Sequence, residues 1–273
     1  MELISILLSG LLIFISPAGL VIDRAAENAI RSRLEKAEQL EVRVDNAPVH
    51  QTLQGKIERL RIAGRGLWLT KDVRIDTLEL ETDPLNIDLQ RLRQGKPTLL
   101  LESLKSPIQS GVRLVLTETD INQALKSPQV VARLQQIVNQ SLGSSASRLT
   151  KRYEFVNPRV KFLGDQRLSL QVELKQPGSN DQLSVNLETG IGVVTGSRLQ
   201  LISPTAFVNG RPIPPQLVQS LTARFNNQAD LRTLEKYGIT SRLLKLDVKN
   251  DRLEMAAFVK LDKPQSKPVS EQP

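Results

Sequence analysis

Residues Leu168–Gly190 read LSLQVELKQPGSNDQLSVNLETG. Leu168, Leu170, Val172 and Leu174 alternate with Ser169, Gln171, Glu173 and Lys175. After a PGSND break the pattern restarts, with Leu183, Val185 and Leu187 set against Gln182, Ser184, Asn186 and Glu188. Strict alternation on both sides of a turn-forming break predicts a β-hairpin with one apolar and one polar face. Burying one Leu or Val side chain is worth roughly 1.5–3 kcal/mol, so the seven aliphatic residues represent on the order of 10–20 kcal/mol. Water is not an acceptable neighbour for that face. It must meet either an ordinary core or a bound apolar ligand.

The chain of 273 residues is 40% hydrophobic and carries a formal charge of +8. Its apolar share is aliphatic, because Phe, Trp and Tyr together number nine. Stacking platforms for bases or sugars need aromatic side chains interleaved with cations, and Trp68, Tyr153 and Phe155 are too scattered to make one. Nucleic acid is therefore not expected as a partner. The Lys and Arg residues are dispersed and fit a solvated or anion-facing surface. The absence of cysteine excludes disulfides, thiolate metal sites and a cysteine nucleophile.

The first residues, MELISILLSGLLIFISPAGLVIDR, hold an apolar run from Leu3 to Ile15. Continued to Ile22 it reaches the roughly twenty residues that a spanning helix needs, with Pro17 inside it. Residues 1–19 thus read as a signal peptide, ending in the small-x-small Ser16-Pro17-Ala18, or as an uncleaved anchor; a buried core helix is the third reading. Glu2, with no leading Lys or Arg, departs from the usual signal pattern. For an anchor, Arg24, Arg31 and Arg33 would favour a cytoplasmic following side.

Residues 20–261 read as one α+β domain. Leu20–Ala37 has helical spacing. Strands are expected at Leu40–Val44, Lys56–Ile62, Val73–Leu80, Leu85–Leu89, Thr98–Leu104 and Val112–Leu116. A parity change between Ile75 and Leu78 suggests a bulge. A helix in two pieces covers residues 118–142, with Thr117 or Thr119 as cap and Pro128 opening the second piece. Val130, Val131, Leu134, Ile137 and Val138 form its apolar stripe. Strands return at Tyr153–Leu163, Leu168–Leu174, Leu183–Leu187 and Ile191–Ile202, followed by an Asn209-Gly210 turn. Pro214-Pro215 starts a helix through Leu217, Leu221 and Phe225. DLRTLEKYG adds a short helical segment with Asp230 as cap and Gly238 as stop. A last hairpin pairs Leu243–Val248 with Leu253–Leu261. Residues 262–273 lack apolar content and read as a disordered tail. Blocks of strands separated by helices give mostly antiparallel meanders.

Motifs for catalysis are missing. His50 is the single histidine and sits among loop signals, with no nucleophile elbow in the chain. One imidazole without thiolates does not build the usual metal sites, so no metal or cofactor is expected. The acidic residues Asp72, Asp76, Glu79, Glu81 and Asp83 alternate with Lys71 and Arg74 and read as a solvated strand face. Gly64-Arg65-Gly66 is too short for a phosphate loop.

GKIERLRIAGRGLWL, VRIDTLELETDPLNIDL and VRLVLTETDINQAL, in that order, resemble the LmeA-like family of bacterial phospholipid-binding envelope proteins. The matching features are the strand opened by Gly55, a Gly64-x-Gly66-Leu67 turn, and the Leu-Thr-x-x-Asp-Ile-Asn-x-x-Leu run from Leu116 to Leu125. GITSRLLKLDVKNDRLEMAAFVKL resembles the family's closing hairpin. The resemblance implies a fold like the tubular lipid-binding (TULIP) proteins: a long twisted antiparallel sheet wrapped around amphipathic helices, with a hydrophobic groove. It further implies an exported, membrane-associated protein without catalysis.

Taken together, these readings predict a non-enzymatic phospholipid-binding protein of the bacterial cell envelope. The groove lining is expected from Val130, Leu134, Ile137 and Val138, and from Leu168, Leu170, Val172, Leu174, Leu183, Val185 and Leu187. The expected partners are an anionic phospholipid and a membrane surface, with the periplasmic side favoured. The competing reading is a membrane-anchored interaction module with a closed core. A third is an enzyme acting on envelope lipids or glycans, whose histidine-dependent version would have to use His50.

Overall fold

The computed structural model describes residues 27–28, 30–45, 54–88, 103–132, 135, 153–176, 178 and 182–262. In chain order the elements are β1 (Lys36–Asp45), β2 (Lys56–Ile57), β3 (Arg59–Thr70), β4 (Val73–Thr82), β5 (Leu85–Asn86) and β6 (Ile108–Thr117). Then come helix α1 (Glu118–Ala124), β7 (Glu154–Gly164), β8 (Arg167–Lys175), β9 (Gln182–Val194), β10 (Arg198–Val208) and β11 (Arg211–Pro212). Helix α2 (Pro215–Gln228), a 3₁₀ helix (Leu231–Tyr237), β12 (Ile239–Val248) and β13 (Arg252–Leu261) complete the chain. Helical residues also occur at 27–28, 30–31 and 128–132.

The strands form antiparallel sheets, not a single long one. The first is six-stranded, in the order β1-β3-β4-β6-β13-β12; the second is five-stranded, in the order β11-β10-β9-β8-β7. A two-stranded piece, β2-β5, sits apart from both. The final hairpin does not stand at the end of a meander. Strand β13 returns across more than a hundred residues to pair with β6, with Leu261 opposite Ile108 and Leu253 opposite Leu116.

Alternation predicts which face of the first sheet is dry, and the register lines it up. Val42, Ile62, Leu80, Val112 and Ala257 lie opposite one another across five strands. The core concentrates here: Ile62, Leu67, Leu78, Leu80, Ile108 and Leu261 are all buried, and Ile57, Leu85, Ile87 and Leu104 close it from the side. Ile30 of the first helical stretch is buried in the same cluster.

Four local expectations change. The helix expected over Leu20–Ala37 gives way before its end, because Glu35 N–H donates to the Trp68 carbonyl and β1 pairs from Lys36 onward. Gly64-Arg65-Gly66-Leu67 is not a turn, since β3 runs through it. Gly66 adopts φ +57° within the strand, a conformation that glycine takes without a Cβ penalty. Leu67 then folds over Gly64, whose missing Cβ would stand 2.6 Å from a Leu67 methyl. This also explains the parity change in β4. Ile75 pairs with Leu67 and Leu78 with Gly64 without an inserted residue, and the bulge lies instead between Trp68 and Thr70. The strand expected over Ile191–Ile202 is two strands joined at Thr195-Gly196-Ser197, where Thr195 and Gly196 both have positive φ.

Other signals hold. Thr117 caps α1 in a reciprocal box with Asp120. Asn209 and Gly210, at φ 49° and 75°, turn β10 into β11 as a two-residue hairpin. Asp230 and Gly238 bracket the 3₁₀ helix. On α2, Val218 is buried and Phe225 half-buried, while Leu217 is exposed. The expected strand Thr98–Leu104 lies outside the described residues except for Ser103 and Leu104, and the tail beyond Asp262 lies wholly outside them.

Candidate lipid-binding surface

The opening hairpin forms β8 and β9 in the predicted register. Leu170 faces Leu187, Val172 faces Val185, and Leu174 faces Leu183. The pairing extends the same face to strands that alternation within the hairpin does not reveal. Phe155, Val160 and Phe162 of β7 stand opposite Leu174, Leu170 and Leu168. Ala206 and Val208 of β10 stand opposite Leu187 and Val185. Phe155 and Val160 escape notice in sequence because the bulge at Asn157-Pro158 breaks their alternation, with Asn157 at φ 51°. A matching bulge at Ser203-Pro204, with Ser203 at φ 45°, interrupts β10. Bulges bend and further twist the strands that carry them.

This face does not become a closed core. None of Leu168, Leu170, Val172, Leu174, Leu183, Val185 and Leu187 is buried, and Leu170 is 37% exposed. The first sheet differs sharply, with Leu67 and Leu78 each 1% exposed. On the polar face Ser169 is buried, and its Oγ donates to Asn186 Oδ1 at 2.7 Å. Val130 is half-buried. Leu134, Ile137 and Val138 lie outside the described residues, so the structure does not place the expected stripe against the hairpin.

The two edges of the second sheet are held by helices. Along β7, the Asn122 side chain acts as a neighbouring strand would. Its Nδ2 donates to the Val160 carbonyl at 2.7 Å, and its Oδ1 accepts from Val160 N–H at 2.8 Å. Glu118 accepts from Phe162 N–H at 2.7 Å. Along β10, Asn226 Oδ1 accepts from Leu201 N–H at 2.9 Å, and the Ala229 carbonyl accepts from Leu199 N–H at 2.9 Å. These partners close open strand edges, which otherwise invite pairing with other chains.

Asp120, between Glu118 and Asn122, anchors the same helix to the first sheet. It is 6% exposed and receives bonds from Thr117 and from Arg74 Nη1 at 3.1 Å. Arg74 also contacts Glu38 and Asp76. Burial works against the guanidinium charge, but Asp120, Glu38 and Asp76 outweigh it and raise the pKa. The run Leu116–Leu125 is thus a joint between the sheets. Gln166 N–H adds a bond to the Val248 carbonyl, and Leu243 N–H one to the Gly196 carbonyl.

Among the described residues no group of three or more His, Cys, Asp or Glu side chains is placed to hold a metal ion. No helix among them is long and apolar enough to cross a membrane. His50 lies outside them.

A sheet-dominated chain with an aliphatic, half-covered face is the architecture here, and comparison with known families agrees with it. The family model described as LmeA-like phospholipid-binding matches residues 14–258. The chain belongs to the LmeA-like phospholipid-binding family. No curated protein and no solved structure matches it.

Proposed function

We propose that this protein binds phospholipid without catalysing a reaction, holding acyl chains against the apolar face of β7–β10 in the bacterial cell envelope. The observation that carries the reading is that no aliphatic residue of the β8–β9 hairpin is buried, whereas β3 and β4 of the first sheet bury Leu60, Ile62, Leu67, Ile75, Leu78 and Leu80. A face of this size loses the larger part of its hydrophobic gain unless an apolar partner covers it. Its aliphatic character suits hydrocarbon chains, and small-molecule sites are predominantly apolar clefts with few polar groups. Family membership supports phospholipid as the class of ligand. The net positive charge favours an anionic headgroup and an anionic membrane surface, each nearby cation contributing about 1 kcal/mol there. The aliphatic N-terminal segment and the family's character favour an exported, membrane-associated protein.

Native mass spectrometry of the purified protein tests this. Phospholipid should be released by organic solvent, and liposome binding should weaken as salt rises. Protein that carries no lipid and ignores liposomes would sink the proposal and favour the interaction module with a closed core.

A further inference from the structure

A cavity of about 600 Å³ lies away from the hairpin, lined by residues 104–107, the 3₁₀ helix and the paired ends of β12 and β13. Lys105, Lys236 and Lys260 line it, together with Glu235 and Asp262. Both carboxylates are already matched: Asp262 by Lys260 at 3.0 Å and Glu235 by Arg242 at 3.6 Å. Lys105 and Lys236 have no carboxylate partner among the described residues, and the three lysines of the lining exceed its two carboxylates by one positive charge. The Lys236 ammonium is held 4.9 Å over the Tyr237 ring. Ser106 and Thr240 add hydroxyl groups to the lining, and Gly238 leaves it without a side chain at φ 75°.

We propose that this cavity binds a phosphate group carried by a hydroxyl-bearing unit. Ammonium groups act as point charges toward phosphate, and hydroxyls serve either phosphate oxygens or a polyol. The chemistry is common to a phospholipid headgroup and to a soluble phosphate ester. Only the lipid source rests on the phospholipid reading above.

The test compares the intact protein with K105Q/K236Q and with K71Q/K126Q. Lys71 and Lys126 are exposed lysines outside the cavity lining, so the second variant loses the same charge elsewhere. Calorimetric titration with glycerol 3-phosphate is run beside flotation on phosphatidylcholine vesicles with and without phosphatidic acid, which keeps the phosphate but has both glycerol hydroxyls acylated. The K105Q/K236Q variant should lose about tenfold in affinity, while K71Q/K126Q stays near the parent. A response with both probes means that the phosphate group suffices. A response with vesicles alone assigns a lipid headgroup, and with glycerol 3-phosphate alone a free ester. Equal weakening by both variants, or by neither, overturns the site. The same samples are weighed for co-purified lipid. Its absence would strike the acyl-chain reading and leave the glycerol 3-phosphate titration to decide the cavity.

Discussion

Asp120 does two things with one carboxylate. It completes the capping box of α1, it accepts from Arg74, and it does both while almost fully buried. Asp120→Ala removes the box and deprives Arg74 of its buried partner, leaving Glu38 and Asp76. The expected loss is about 3 kcal/mol in urea unfolding, with Asp120→Asn intermediate because it keeps an acceptor. Asp230 behaves differently because it is tied by Arg232. Hydrogen bonds from the Arg232 side chain and backbone hold its carboxyl well below the usual carboxylate range, with Arg198 adding a weaker attraction. A depressed folded-state pKa stabilises the fold above the unfolded value, near 4, and that contribution is lost as pH falls through the folded one. Asp230→Asn should therefore melt below the parent protein at pH 7. The gap in thermal midpoint should narrow as pH drops from about 4 toward 2. A gap independent of pH would mean that the helix cap alone, not the charge, is responsible. Residue chemistry of this kind was only partly legible. Thr117, Asp230 and Gly238 show their roles by residue type and spacing, whereas the Arg74–Asp120 pair spans 46 positions and has no local signature.

Among the elements, α1 shows how a short helix is given its place. Seven residues are too few to be stable alone, so its contacts must hold it. Asn122 and Glu118 lend their side chains to the edge of β7, and Asp120 fastens the opposite side to β4. Asn122→Ala leaves the Val160 N–H and carbonyl without these partners, a loss of about 1–3 kcal/mol. Hydrogen exchange should rise at Val160 and Phe162 and stay unchanged in β3 and β4. Uniform acceleration through both sheets would show that the joint is not local. The strands were legible because period-two alternation is a local property. What misled the reading was any device that alters parity without altering composition. Gly66 at positive φ reverses Leu67 inside a continuous strand, and in the sequence the same glycine looks like a turn. The Thr195-Gly196-Ser197 turn was hidden by apolar residues on both sides.

At the scale of the whole molecule, the two sheets divide the hydrophobic labour unequally. Ile62→Glu places a charge in the packed face of the first sheet and should destabilise by more than about 4 kcal/mol. Leu170→Glu, at a position more than a third exposed, should change stability by only about 1 kcal/mol. It should nonetheless lower the lipid that co-purifies, measured by native mass spectrometry against the parent. A folded Leu170→Glu protein with undiminished lipid would place the acyl chains elsewhere. The sequence by itself determined the antiparallel strand content, most turns and caps, the absence of catalytic motifs, and the one-faced aliphatic character of Leu168–Leu187, because alternation, capping and composition are encoded within a few residues. Tertiary structure alone decided that β13 returns to β6, that the strands divide into separate sheets, and that α1 bridges them. It also decided that Phe155, Val160, Ala206 and Val208 share the hairpin's apolar face. Pairing across long separations depends on which edges and faces meet, and burial depends on what then covers them. Neither quantity resides in a local window, so the difference in burial between the hairpin's apolar face and β3–β4 of the first sheet is visible only in the tertiary structure.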